Sequence, residues 1–247
     1  MRRLVGVAGL VLTLTACGGA ASVSALTPTP KAPTASKASA VAVPTGPNVN
    51  GCFTDKDGKI FKYGDEDMPG IIAGDGKVGA VITYERGGNV CTWRPLSDRL
   101  VAAGYRVLLY SRSSANAPAE VILDMAGRLA KEKGVERLYL VGGSIGGTIS
   151  VTAALKLKGL AGVVSMSGSP DPADTAKLTV PLLQLGSQDD YSGGGEAIKR
   201  AHDAATEVPD NQMQIFPGAT HASGLFTTEH GPQALDTILA FMDKHKG

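Results

Sequence analysis

The stretch Leu138-Tyr-Leu-Val-Gly-Gly-Ser-Ile-Gly-Gly147 constrains the fold of this chain more than any other. Leu138 to Val141 is a short apolar run of the kind a buried strand needs, and the Ala-rich Thr148 to Lys158 suits a helix. Gly142-Gly-Ser-Ile-Gly146 leaves only a few residues in which to pass from one to the other. Strand, tight turn, then helix is the context in which G-x-S-x-G carries a mechanism. Gly142 and Gly146 fall where a Cβ would strike the strand or the helix. Ser144 then stands at a strained apex with its hydroxyl exposed, and the start of the helix aims backbone N–H groups at the same place. Taken alone, the pentapeptide also fits a glycine-rich turn with an incidental serine.

The pattern on either side extends this unit along the chain. Val78 to Tyr84, Tyr105 to Tyr110, Leu160 to Met166, Pro181 to Leu185 and Gln212 to Phe216 read as strands. Trp93 to Ala103, Pro118 to Lys133, Gly194 to Ala205 and Pro232 to Lys244 carry helical spacing. Alternation of the two predicts an α/β fold: a doubly wound, mostly parallel sheet with helices on both faces. A site in such a sheet lies at the carboxyl ends of the strands. At the front of this region, Cys52 to Tyr63 reads as a hairpin turning at Asp55–Gly58, and residues 64 to 77 as loop.

The first residues read differently. Arg2 and Arg3 precede an apolar run, Leu4 to Ala16, too short for a stable membrane span. Leu14-Thr-Ala-Cys17 resembles a bacterial lipobox. That resemblance implies a signal peptide over residues 1–16 and a lipidated Cys17 that anchors the protein to the bacterial cell membrane outside the cytoplasm, an ordinary secretory signal and a secreted protein being the alternative. Residues 17–50 are rich in Ala, Ser, Thr and Pro, without aromatic residues, and read as a tether. The folded domain is expected over 51–247. Two cysteines remain in it, Cys52 and Cys91, and in an exported chain such a pair suggests a disulfide, two free thiols being the alternative.

Two further motifs follow the serine. Pro181-Leu-Leu-Gln-Leu-Gly-Ser-Gln-Asp189 ends a strand in G-x-x-D, and Phe216-Pro-Gly-Ala-Thr-His221 ends the next in G-x-x-H. Three motifs in the order Ser, Asp, His, each just after a strand, resemble those of the α/β-hydrolases over almost all of the chain from residue 51. The nearest resemblance is to small serine esterases and dienelactone-hydrolase-like members without a large lid, here with Ser144 in place of a cysteine nucleophile. The segment Ser167 to Val180 is too short for a large lid, so an open site is expected.

The resemblance implies Ser144 as nucleophile, His221 as base and Asp189 as the acid that orients it. Asp190 is the neighbour to separate from Asp189, and Asp171 and Asp174 lie near another position used for the acid. His202, His230 and His245 read as surface residues. The backbone N–H groups of Ile145 and Arg86 are the expected oxyanion donors. Glu85 stands where the family usually has glycine. Its carboxylate would oppose a developing oxyanion unless it points away or pairs with Arg86. Tyr84, Arg86, Met166 and Tyr191 flank the strand ends and are candidate pocket walls.

The chemistry implied is carboxylic-ester hydrolysis on a small-molecule or polymer-end acyl substrate. Peptidase, thioesterase and acyltransferase use the same triad, and a non-catalytic binding lipoprotein on the same fold is the reading from another class. The four histidines show no metal-ligand spacing, and neither metal nor cofactor is expected. A formal net charge of +1 without basic blocks gives no reason to expect nucleic acid.

Overall fold

The apolar runs Leu138–Val141, Leu160–Val164 and Leu182–Leu183 are each long enough for one strand and too short for a core helix, and each lies in a strand. The structure, a computed structural model, describes residues 46–111 and 118–247. Its first strands are β1 (Asn48–Val49), β2 (Phe53–Thr54), β3 (Lys59–Tyr63), β4 (Met68–Ala73) and β5 (Val78–Thr83). Then come α1 (Arg94–Ala102), β6 (Tyr105–Tyr110), α2 (Pro118–Ala130), β7 (Arg137–Gly143), α3 (Ile145–Ala154) and β8 (Leu160–Met166). The chain closes with α4 (Pro172–Thr175), β9 (Leu182–Ser187), α5 (Gly195–Ala204), β10 (Asn211–Phe216) and α6 (Gly231–His245).

Eight strands form one sheet in the order β10-β9-β8-β7-β5-β6-β4-β3. The six from β10 to β6 run parallel, and β4 and β3 are antiparallel additions at one side. The strand order reverses at β5, which pairs with β6 on one side and β7 on the other. Chain segments therefore leave the ends of β5 and β7 in different directions and open a crevice between them. Alternation along each strand feeds two cores. Tyr139 and Val141 face a layer with Trp93, Phe216 and Phe241, while Leu140 faces one with Ile122, Met125 and Val151. Both faces being covered, the central strands β5, β7 and β8 are buried almost throughout rather than on alternate residues.

Three sequence expectations change here. Residues 68–73 are a strand, not loop, and β3 pairs with them rather than with residues near Cys52. Pro69 and Gly70 argue against a strand in sequence, but Pro69 sits opposite Lys62 at the end of β4, outside the register with β6 that starts at Gly70. Gly70 is required because the Phe61 ring lies over it, 2.3 Å from where a Cβ would be. The serine helix starts at Ile145, three residues earlier than its Ala-rich stretch suggests. The paired structure also begins before residue 51, since Asn48 and Val49 pair with Thr54 and Phe53 and Val49 is fully buried. The expected signal peptide, Cys17 and most of the tether lie outside the described residues.

Cys52 and Cys91 are joined by a disulfide, with Cα atoms 5.7 Å apart. It ties the β1–β2 pair to the segment between β5 and α1. Arg94 supports the same junction, donating to the Cys52 carbonyl and to Asp57 Oδ1. Closing a loop of 39 residues restricts the unfolded chain by about 4 kcal/mol on the chain-entropy model. Reduction, or Cys52→Ser with Cys91→Ser, is expected to lower the unfolding free energy by roughly 2–4 kcal/mol, read from urea titrations of oxidised and reduced protein.

Candidate active site

Ser144 occupies the turn between β7 and α3 with φ 52° and ψ −121°, a region that residues with a Cβ rarely adopt. Close packing on both sides enforces it. A Cβ on Gly142 would stand 2.3 Å from the Gly146 carbonyl carbon, and one on Gly146 2.2 Å from the Thr83 carbonyl oxygen at the end of β5. Backbone bonds then fix the apex. The Ser144 N–H donates to the Met166 carbonyl (2.8 Å), and the Ser144 carbonyl accepts from Thr148 N–H (2.9 Å) and Thr148 Oγ1 (3.1 Å).

His221 follows β10 through a turn at Pro217-Gly218. Its Nδ1 lies 2.7 Å from Oδ2 of Asp190, whose side chain is fully buried. Asp190 Oδ1 accepts the Ser192 N–H at 3.0 Å, so both carboxylate oxygens are engaged. The partner of His221 is thus Asp190, and Asp189, the expected acid, is exposed. The reason lies in the ladder. Pairing of β9 with β10 continues past the strand ends through Gln188 N–H to the Phe216 carbonyl and Asp189 N–H to the Gly218 carbonyl. Ser187 Oγ adds a bond to the Thr220 carbonyl. The loop therefore turns inward one residue later than G-x-x-D spacing implies.

The other candidates are occupied elsewhere. Asp171 caps α4 through the Ala173 N–H, and Asp174 accepts from Thr152 Oγ1. His202 bonds Asn211, His230 lies over the Phe216 ring, and His245 bonds Asp210. All three are partly buried rather than freely solvated.

Ser144, Ile145, Arg86 and His221 line one open cavity of about 530 Å³, together with Thr148, Ser167, Ser169, Tyr191 and Ser192. Ile145 opens α3, so its N–H belongs to the helix start, where backbone donors have no intrahelical partner. Of the four candidate walls, Arg86 and Tyr191 line the cavity. Tyr84 and Met166 are buried in the core instead. The connection between β8 and β9 holds only α4, so no large lid is inserted at that point.

Glu85 does not line this cavity. Its Oε2 accepts the Trp93 indole N–H at 2.8 Å, and its Oε1 accepts the Ser223 hydroxyl. Trp93 is fully buried, stacks edge-on against Phe226 at 5.5 Å, and fills the space that a Cβ on Gly143 would need. One carboxylate thus joins the segment after β5, the indole and the segment after His221. Sequence reasoning missed this role for Trp93 and Ser223. Trp93 read as the first apolar residue of a helix, and nothing local marks Ser223.

The sheet with its reversal at β5, the serine elbow at the end of β7 and the histidine after the last strand define an α/β-hydrolase. The dienelactone hydrolase family model matches residues 112–236. The chain belongs to that family and so stands among hydrolases. It is similar in structure to a monoacylglycerol lipase of Paleococcus ferrophilus, at 16% identity and TM-score 0.63, covering 72% of this chain and 99% of that one. It is also similar to an esterase of Pyrococcus furiosus, at 13% identity and TM-score 0.67, covering 81% and 97%. At such identities the likeness concerns the fold. No curated protein matches the sequence.

Glu85→Ala is expected to strand the indole N–H and lower stability by about 1–3 kcal/mol, and Glu85→Gln, which keeps an acceptor, to recover most of it. Urea denaturation of the two variants beside the parent measures both.

Proposed function

We propose that the protein is a serine hydrolase of carboxylic esters, acting through an acyl-Ser144 intermediate. The observation that carries the reading is the buried Asp190 paired to His221 beside the cavity that His221 shares with Ser144. With Nδ1 committed to Asp190, the other imidazole nitrogen is left to take a proton. Ser144 Oγ attacks the ester carbonyl and gives its proton to His221, while the N–H groups of Ile145 and Arg86 stabilise the oxyanion. His221 returns the proton to the departing alcohol. Water then attacks the acyl-enzyme, its proton passes to His221 and on to Ser144, and the acid leaves. Asp190 keeps the imidazole oriented and stabilises its cation.

The direction of Glu85 supports catalysis over a binding-only role. Its charge is held by Trp93 and Ser223, outside the cavity where the oxyanion would form. The open cavity, whose only large aliphatic lining residue is Ile145, favours a short acyl group over a long chain.

The tested outcome is labelling of the full chain by a fluorophosphonate probe. The parent should label and Ser144→Ala should not. Asp190→Asn should lower kcat on p-nitrophenyl acetate by at least about a hundredfold, for loss of the tautomer-setting partner. Asp189→Asn should stay within about threefold. A folded parent that does not label, or equal losses in the two aspartate variants, overturns the assignment.

For location, the proposal is an extracytoplasmic protein anchored by lipid on Cys17. It rests on the lipobox-like Leu14-Thr-Ala-Cys17 and agrees with a disulfide in the domain. Metabolic labelling in a bacterial host should place palmitate on the parent and not on Cys17→Ser, and the variant should leave the membrane fraction.

A further inference from the structure

A second hollow adjoins the Ser144 cavity. It measures about 360 Å³ and is lined by Ser169, Gln188, Asp189, Tyr191, Glu196 and Arg200, among others. Ser169, Tyr191 and Ser192 border both hollows, so the two meet along one ridge. Tyr191 on that ridge is 99% exposed, whereas the other large apolar side chains at the described surface, Leu155 and Met213, are each 37% exposed.

The exposed ring is held on a fixed backbone. Its neighbour Asp190 bonds His221, and its other neighbour, Ser192, donates its N–H to Asp190. Beyond it, Gly193 and Gly194 pack so closely that a Cβ would lie 1.9 Å from the Ser167 carbonyl oxygen and 2.3 Å from the Asp190 carbonyl oxygen. The side chains of Gln188, Asp189, Glu196 and Arg200 make no hydrogen bond or ion pair among the described residues. An exposed aromatic ring on a closely packed backbone therefore stands beside a set of unengaged donors and acceptors, one residue from the acid that bonds His221.

We infer that this hollow receives the alcohol part of the ester, and that this part is a neutral saccharide whose ring stacks on Tyr191. The inference rests on the ester-hydrolase reading of the Ser144 site and names its substrate class. A sugar ring presents C–H groups on its face, which suit the negative face of an aromatic ring, and hydroxyls at its edge. Those hydroxyls both donate and accept, matching a wall that offers carboxylates, an amide and a guanidinium together. A lipid alcohol would find only Tyr191 and Ala197 as apolar side chains here. An anionic one would meet three carboxylates, Asp189, Asp190 and Glu196, against one guanidinium. Bond by bond, the sugar oxygen is the leaving group. It takes its proton from His221 as the acyl group passes to Ser144, and water later releases the acid.

The test compares kcat/KM of the full chain on O-acetylated xylo-oligosaccharides and on ethyl acetate, two esters of unactivated alcohols. The expected result is a preference of at least about tenfold for the saccharide ester. Tyr191→Ala should reduce that ratio at least about fivefold, mainly through KM, while Tyr191→Phe, which keeps the ring, should retain it. Arg200→Ala should lower the ratio as well, and gives a second variant outside the ridge. Equal turnover of the two esters by the parent, or a ratio unchanged in Tyr191→Ala, overturns the inference. If neither ester is cleaved, the hydrolase reading fails by itself. Calorimetric titration with the deacetylated xylo-oligosaccharide then decides the hollow separately: binding lost in Tyr191→Ala supports it, and no binding by the parent overturns it.

Discussion

The assembled site depends on how Trp93 is wedged beneath it. The indole lies fully buried where the segment after β5, the serine elbow and the segment after β10 come together. It touches each in a different way. Its ring takes the place of a Cβ on Gly143, its edge meets Phe226, and its N–H is bonded to Glu85. An aromatic body with one polar handle suits this place, because it supplies packing in two directions and a directed bond in the third. Glu85 completes the join by accepting from Ser223 as well. The residue that sequence alone makes a threat to the oxyanion is thus a brace for the segment that carries Arg86.

The sheet provides the second constraint. Reversal of strand order at β5 places Arg86 and Ser144 at adjacent strand ends, and continued pairing of β9 and β10 beyond their strand limits carries the Asp190 and His221 loops together. Short backbone bonds thereby bring together side chains from four places far apart in the chain, at Arg86, Ser144, Asp190 and His221. The strain at Ser144 persists because the glycines beside it let three backbones approach more closely than side chains would permit.

Much of this was legible in the sequence. The doubly wound sheet, Ser144, His221 and the glycine elbow follow from local patterns, since each depends on a strand, a turn and a spacing of a few residues. The Cys52–Cys91 pair was legible as one of two outcomes. What escaped depends on neighbours distant in sequence. Met68–Ala73 hides as a strand because Pro69 and Gly70 are acceptable only at the register and beneath the ring that tertiary packing supplies. The choice between Asp189 and Asp190 turns on bonds to Phe216 and Gly218, nearly thirty residues away, which carry the ladder one step further. Glu85 could be recognised as unusual but not aimed, because its partners lie at Trp93 and Ser223.

Trp93 is also the one tryptophan in the chain. All indole emission from this protein therefore originates beneath the serine elbow, from a ring shielded from water and bonded to a carboxylate. Its wavelength and intensity form a built-in optical gauge of whether the three segments are assembled. A loosening there would shift the emission while the far-ultraviolet signature of the sheet stayed constant, so local opening of the site and unfolding of the domain can be told apart without an added label.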